Sequence, residues 1–243
     1  MNILLLGATG ATGQLLAREL LRRGHHLRLV VRALDRLPGD IRTDDRVTAW
    51  QADLLDLGDA ELARLVQGCD AVASCLGHNL TLRGLFGHPR RLVADTLRRV
   101  CEAIRANNPP RPVKCLLMNT TGNRNRDLDE PVSLTQNAVV AMLRLFLPPH
   151  ADNEAAADYL RRTIGQSDPG IEWVAVRPDG LVNEATVSDY ELHASPQRSA
   201  IFDAGTTSRI NVADLMARLI TEPALWATWR GRMPVIYNIE PEG

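Results

Sequence analysis

The amino-acid sequence predicts a single α/β domain folded around a doubly wound parallel sheet of about seven strands. Three observations predict it. Short apolar runs alternate with amphipathic stretches along the chain. A turn with glycines at three-residue spacing (Gly7, Gly10, Gly13) joins the first apolar run to the first amphipathic stretch. The long irregular segments follow the C-terminal ends of apolar runs, where open parallel sheets bind ligands.

Residues 3–6 are four consecutive apolar residues, suited to a strand buried on both faces. The run L-L-A-R-E-L-L-R-R (15–23) reads as the helix that follows. Leu15, Leu16, Leu20 and Leu21 share one side of it, and Arg18, Arg22 and Arg23 the other. Gly24 suits its C-terminal end. Strands are expected at 26–31 (H-L-R-L-V-V), 47–53 (V-T-A-W-Q-A-D) and 70–77 (D-A-V-A-S-C-L-G), with a short helix near 59–67. A helix from about 90 to 107, a strand at 113–119 (V-K-C-L-L-M-N) and helical stretches near 134–146 and 152–165 come next. A strand at 171–178, a loop-rich segment to 210, a helix at 211–221 and a strand at 233–238 follow. Asn211 reads as an N-cap, and Trp226 and Trp229, three apart on a short helix, as packing or interface residues. Residues 1–243 read as one domain, with a small loop-rich substrate region formed by segments 77–89, 120–150 and 178–210.

A strand, a glycine turn and a helix in that order form a dinucleotide site, so the fold reads as Rossmann-type. Such a turn aims backbone N–H groups and the positive end of the helix dipole at a pyrophosphate, and a missing Cβ lets the phosphate approach. The candidate residues are Gly7, Ala8, Thr9, Gly10, Ala11, Thr12 and Gly13, whose GxxGxxG spacing makes the first turn one residue wider than GxGxxG. About twenty residues further on, an NAD-binding chain places a carboxylate for the ribose 2′-hydroxyl. Here the second strand ends in Arg32, with Arg36 one helical turn on. A guanidinium offers forked donors and a permanent charge to a 2′-phosphate, which points to NADP (NADPH) rather than NAD. The same two residues also fit as solvated loop arginines.

Composition narrows the function classes. A net charge of −1 and a pI near 6.6 give no electrostatic footprint for nucleic acid or an anionic membrane. No apolar run approaches the roughly 18 residues of a membrane span. The first strand begins at residue 2, which leaves no room for a leader, so a cytoplasmic protein is expected. The four cysteines (69, 75, 101 and 115) form no CxxC and read as reduced core thiols; no metal site is expected. The expected partner is a small-molecule substrate, with a homodimer left open.

The motifs G-A-T-G-A-T-G (7–13), V-V-R (30–32), A-D-L-L-D (52–56), C-L-G (75–77), M-N-T-T-G (118–122) and V-R-P-D-G (176–180) together resemble those of the atypical short-chain dehydrogenases. The NmrA-like proteins and the biliverdin-IXβ and flavin reductases are the groups in question. The likeness extends to S-R-I-N-V-A-D-L (208–215). It implies Asp53 near the adenine with Leu54 beside it, and Leu76 and Gly77 alongside the ribose, preceded by Cys75. It also implies Asn119 and then Thr120 or Thr121 in the catalytic serine's place, and Pro178 behind the nicotinamide. The activity implied is an NADPH-dependent reductase of a small apolar, aromatic or conjugated carbonyl-type substrate. A non-catalytic NADP(H)-binding sensor and a cofactor-assisted isomerase are the alternatives.

The chain departs from that family at its chemistry. Short-chain dehydrogenases use a Tyr-x-x-x-Lys pair in which lysine lowers the tyrosine's pKa. The single lysine, Lys114, opens the fifth strand, and Tyr159 is followed four residues later by Thr163. Alignment puts the lysine's place near Glu154. The replacement acid is sought in P-P-H-A-D-N-E (148–154), where His150 has a pKa suited to proton transfer and Asp152 reads as the cap of the following helix. A surface histidine is the competing reading. Tyr159 with Arg162 as its activator is a further candidate, although core packing fits it equally. Arg124 and Arg126 suit either an anionic or carbonyl group or solvent. His78 and His88 flank an apolar loop (Leu80, Leu82, Leu85, Phe86) suited to covering a substrate or to packing on the sheet.

Overall fold

In this computed structural model residues 1–77, 90–128, 130, 148–199 and 202–239 are described. The helical stretch expected near 134–146 and the loop bearing His78 and His88 lie outside them. The first strand, β1 (Asn2–Leu6), is fully buried from Ile3 onward. Its alternation explains why both faces are apolar: Leu4 and Leu6 enter one core cluster, Ile3 and Leu5 the other. It leads through the glycine turn into α1 (Ala11–Arg22), then β2 (His26–Val31), a one-turn α2 (Gly39–Arg42), β3 (Val47–Gln51), α3 (Asp59–Val66) and β4 (Ala71–Ser74). The second half contributes α4 (Leu92–Ala106), β5 (Val113–Met118), α5 (Pro148–Tyr159), β6 (Ile171–Pro178), β7 (Gly180–Val182) and β8 (Tyr190–His193). It ends with β9 (Thr206–Ser208), α6 (Arg209–Thr221), α7 (Pro223–Trp229) and β10 (Val235–Asn238).

The sheet order is β3-β2-β1-β4-β5-β6-β10-β8. Its first seven strands are parallel, and β8 pairs antiparallel with β10. Helices α3, α4 and α5 cover one face, and α1, α6 and α7 the other. The strand order reverses between β1 and β4, and such switch points open a crevice at the strands' C-terminal ends.

Several expectations need correction. The segment 178–210 is not all loop: it holds β7, β8 and β9, of which β7 and β9 form a separate parallel ribbon. The third and fourth strands stop at Gln51 and Ser74, so residues 52–54 and 75–77 belong to the rim. Helix α5 starts at Pro148, four residues early, because first-turn positions need no amide donor. Ser208, not Asn211, caps α6: its Oγ accepts from Asn211 N (3.2 Å). The sole lysine side chain donates to Ile220 O (2.6 Å) with its ammonium over the Trp226 ring, at the opposite edge from the rim. Trp226 is buried and Trp229 partly so, both packed on the α1 side of the sheet.

At the C-terminal rim a fully buried guanidinium joins three loops. Arg177, in β6, donates from Nε to Met233 O (2.8 Å), from Nη1 to Asn123 O (3.1 Å) and from Nη2 to Ala194 O (3.0 Å). Glu130 closes the set with a bidentate pair (2.8 and 3.2 Å) and itself accepts from Asn125 N (2.8 Å). Removing one member of a buried ion pair strands the other's charge. Glu130→Ala is expected to lower unfolding free energy by about 3–5 kcal/mol, and adding Arg177→Met to restore part of it. Urea unfolding of Glu130→Ala, Arg177→Met and the double variant measures this; independent, additive losses would contradict it.

Candidate active site

The glycine turn is shaped by two close approaches. Gly7 has φ +79°, and a Cβ there would stand 2.6 Å from Cys75 O. A Cβ on Gly13 would stand 2.1 Å from Gly7 O. Side chains at either position would separate β1 from β4 or lift α1 off the turn. Gly10 N donates to Gly7 O (2.9 Å), and Gln14 Nε2 to Thr9 O (3.0 Å), which fixes the loop. Helix α1 opens at Ala11, so the amides of Ala11, Thr12 and Gly13 have no intrahelical acceptor behind them and carry the positive end of the dipole. Ala8 and Thr12 are buried and serve as packing beneath the turn.

A cleft runs from this turn across the C-terminal ends of β2, β3 and β4. It is lined by Gly7, Thr9, Gly10, Val30, Val31, Arg32, Arg36, Ala52, Asp53, Leu54, Cys75, Leu76, Gly77 and Leu92. Arg32 and Arg36 are exposed at its edge and make no ion pair among the described residues. Asp53 is turned into its own loop, where Oδ1 accepts from Leu55 N (3.0 Å). Cys75 contributes to the cleft, but its sulfur is buried against Met216 Sδ (3.9 Å), and burial pushes the thiol up to about 12. It is therefore a wall and not a nucleophile.

Beyond β4 the rim is built by the loop after β5. Asn119 is committed to structure: its Nδ2 donates to Asn153 O (3.1 Å) and its Oδ1 accepts from Asn123 Nδ2 and Thr120 N. Thr121 is buried and donates to Asp179 Oδ1 (3.0 Å), while Thr121 N donates to Pro178 O (3.1 Å). Thr120 is partly exposed, with Oγ1 accepting from Gly122 N (3.2 Å). His150 lies against the same loop: a Cβ on Gly122 would be 3.4 Å from His150 Cε1 and 3.6 Å from Thr120 Oγ1. Thr120 and His150 thus flank one bare stretch of backbone, whereas Thr121 faces away into Asp179.

Tyr159 does not join them. It sits at the far end of α5, packed on the α3–α4–α5 core, and burial raises its phenol to about 12. Arg162 is exposed on the π-turn Leu160–Ile164, whose wider pitch breaks the helical spacing that would pair the two. Asp152 caps a different helix from the one expected: its oxygens accept from Val93 N (2.8 Å) and Ala94 N (2.9 Å) at the start of α4. Glu154 pairs with Arg126 (2.9 Å), so Arg126 is an ion-pair partner rather than a free substrate handle. Arg124 is exposed. Arg177 and Glu130 were not singled out from sequence; Arg177 sits within V-R-P-D-G, but nothing local announces its partner 47 residues away.

Residues 7–223 match the family model for NAD(P)H-binding domains, and the chain belongs to that family. A short-chain dehydrogenase/reductase from Veillonella parvula superposes with a TM-score of 0.69 at 20% identity, covering 98% of this chain and 94% of its own. A second structure from that organism, a wide-type short-chain dehydrogenase/reductase in complex with NADP, gives 0.68 at 20% identity over 99% and 94%. An oxidoreductase from Lactococcus lactis gives 0.68 at 16% identity over 99% and 92%. At these identities the likeness carries the fold. No curated protein matches the chain. Among the described residues no helix is long and apolar enough to cross a membrane, and no cluster of His, Cys, Asp or Glu is suited to a metal.

The close approach at Gly13 makes a direct test. Gly13→Ala must open the turn, so its affinity for NADPH, followed by nicotinamide fluorescence, should fall about tenfold or more. Unchanged affinity would show that the turn does not hold the phosphates.

Proposed function

We propose that this NAD(P)H-binding protein is an NADPH-dependent reductase of a small apolar, aromatic or conjugated carbonyl-type substrate. The observation that supports it is the cleft itself, whose lining joins the glycine turn, Arg32 and Arg36 (which make no ion pair among the described residues) and residues 75–77. The cradle that a Cβ would fill at Gly7 and Gly13 fits a pyrophosphate. Arg32 and Arg36 would hold the 2′-phosphate, Asp53 and Leu54 would wall the adenine, and Leu76 and Gly77 the ribose. Bound NADPH supplies a hydride.

The proton is the chain's own contribution. With Thr121 donating to Asp179 and Tyr159 away from the rim at the far end of α5, Thr120 and His150 are, among the described residues, the candidates to deliver it. Without a lysine-activated tyrosine, rate depends more on positioning, which suits acceptors such as quinones, flavins and enones that need little acid help.

In cofactor titrations the wild type is expected to prefer NADPH to NADH, and Arg32→Ala to lose that preference. Equal wild-type affinities would contradict the assignment. Turnover is read as NADPH oxidation over a panel of quinones, flavins, enones and simple carbonyls. Tight binding with no oxidation by any acceptor would favour a non-catalytic NADP(H)-binding sensor, and substrate conversion without net oxidation a cofactor-assisted isomerase. His150→Ala should lose about 10²–10⁴-fold in kcat with NADPH affinity retained, and Tyr159→Phe should change little. A dead phenylalanine variant beside an active alanine variant would reverse the assignment.

A further inference from the structure

The loop that walls the adenine end of the cleft is held from behind by one side chain. Residues 52–58 connect β3 to α3, and Ala52, Asp53 and Leu54 from this loop face the cleft. Three carbonyls of the same loop, those of Leu54, Leu55 and Leu57, converge on Arg99 of α4. Nη1 donates to Leu54 O (3.1 Å) and Leu55 O (2.8 Å), Nη2 to Leu57 O, and Nη2 also reaches Asp59 Oδ1 (3.2 Å). The Arg99 side chain is largely buried at 17% exposure, while Asp59 is fully exposed, so the carbonyl contacts and not that ion pair set the geometry. The same helix supplies Leu92 to the cleft wall, and its N-terminus is fixed by Asp152.

We propose that Arg99 is a positioning residue for the adenosine end of the cofactor. The inference rests on the cofactor reading above. A guanidinium is suited to the task because its rigid fork satisfies several diverging carbonyls at once, whereas an ammonium is a single point. Without it, three partly buried carbonyls lose their donors, and the loop relaxes toward solvent and takes Asp53 and Leu54 with it. The contact lies on the far side of the loop, so the nicotinamide end of the cleft, built from the β5 loop and α5, keeps its shape.

The test compares ligands that report on the two ends. Binding of NADPH, of 2′,5′-ADP (the adenosine end alone) and of reduced nicotinamide mononucleotide (the other end alone) is measured by calorimetry or fluorescence for wild type, Arg99→Met and Arg99→Lys. Arg99→Met is expected to weaken NADPH and 2′,5′-ADP by about tenfold each, equivalent to roughly 1.4 kcal/mol, and to leave the mononucleotide within about twofold. Arg99→Lys should fall between. Melting temperatures are recorded alongside, because a merely structural role would lower them and weaken all three ligands together. Equal weakening of all three, or no weakening of 2′,5′-ADP, overturns the inference while leaving the cofactor reading standing. Wild-type protein that binds neither NADPH nor 2′,5′-ADP overturns both.

Discussion

Arg177 is the constraint on which the shape of the rim depends. A permanently charged group with no exposure is tolerated in a protein interior when its donors are matched and a counter-charge is at hand. Here those acceptors come from three places: Met233 before β10, Asn123 and Glu130 after β5, and Ala194 after β8. None of these segments can move independently without stranding a buried donor. The arrangement therefore behaves as one unit, and it fixes the β5 loop that carries Asn119, Thr120, Thr121 and Gly122. Under the proposed function, rigidity at that loop would let positioning supply what an activated tyrosine does not.

A second constraint acts at the other end of the cleft and is steric. Gly7 and Gly13 allow β1, α1 and the Cys75 backbone to come within distances that no side chain permits. The resulting closeness leaves the first amides of α1 facing outward beside a strand switch point, with Arg32 and Arg36 on the flank. An anion in the cleft would meet both backbone dipoles and the full charges of Arg32 and Arg36. The field is local: the chain as a whole carries a net charge of −1, so attraction to the cleft does not come from the protein's overall charge.

What the sequence disclosed follows this division. The cofactor half was legible because its signals are contiguous: an apolar run, glycines at fixed spacing, an amphipathic run, and a basic residue where the next strand ends. The order of strands and helices was legible for the same reason. The short strands β7, β8 and β9 were not, because three or four residues are too few to carry a period, and each is defined by a partner far along the chain. The cap of α6 was misplaced by three residues because Ser208 and Asn211 are both good capping types, and the choice is made by the hydrogen bond between them. Arg177 with Glu130, and Asp152 with the start of α4, are pairings across distant stretches that no local pattern records.

Asp152 shows why such pairings bear on chemistry as well as stability. The reading that made it a cap for its own helix leaves His150 on a free-standing segment before that helix. In the structure His150 lies inside the first turn of α5, and the next turn is tied down twice. Asp152 grips the first amides of α4, and Asn153 O accepts from Asn119 of the β5 loop. The first turns of α5, the start of α4 and the loop bearing Thr120 are consequently one hydrogen-bonded assembly. In the proposed reduction, a histidine on a flexible loop would lose orientational freedom each time it delivered a proton. One built into this assembly has already lost it on folding, and its distance to Thr120 is set by the same bonds that set the cleft's far wall.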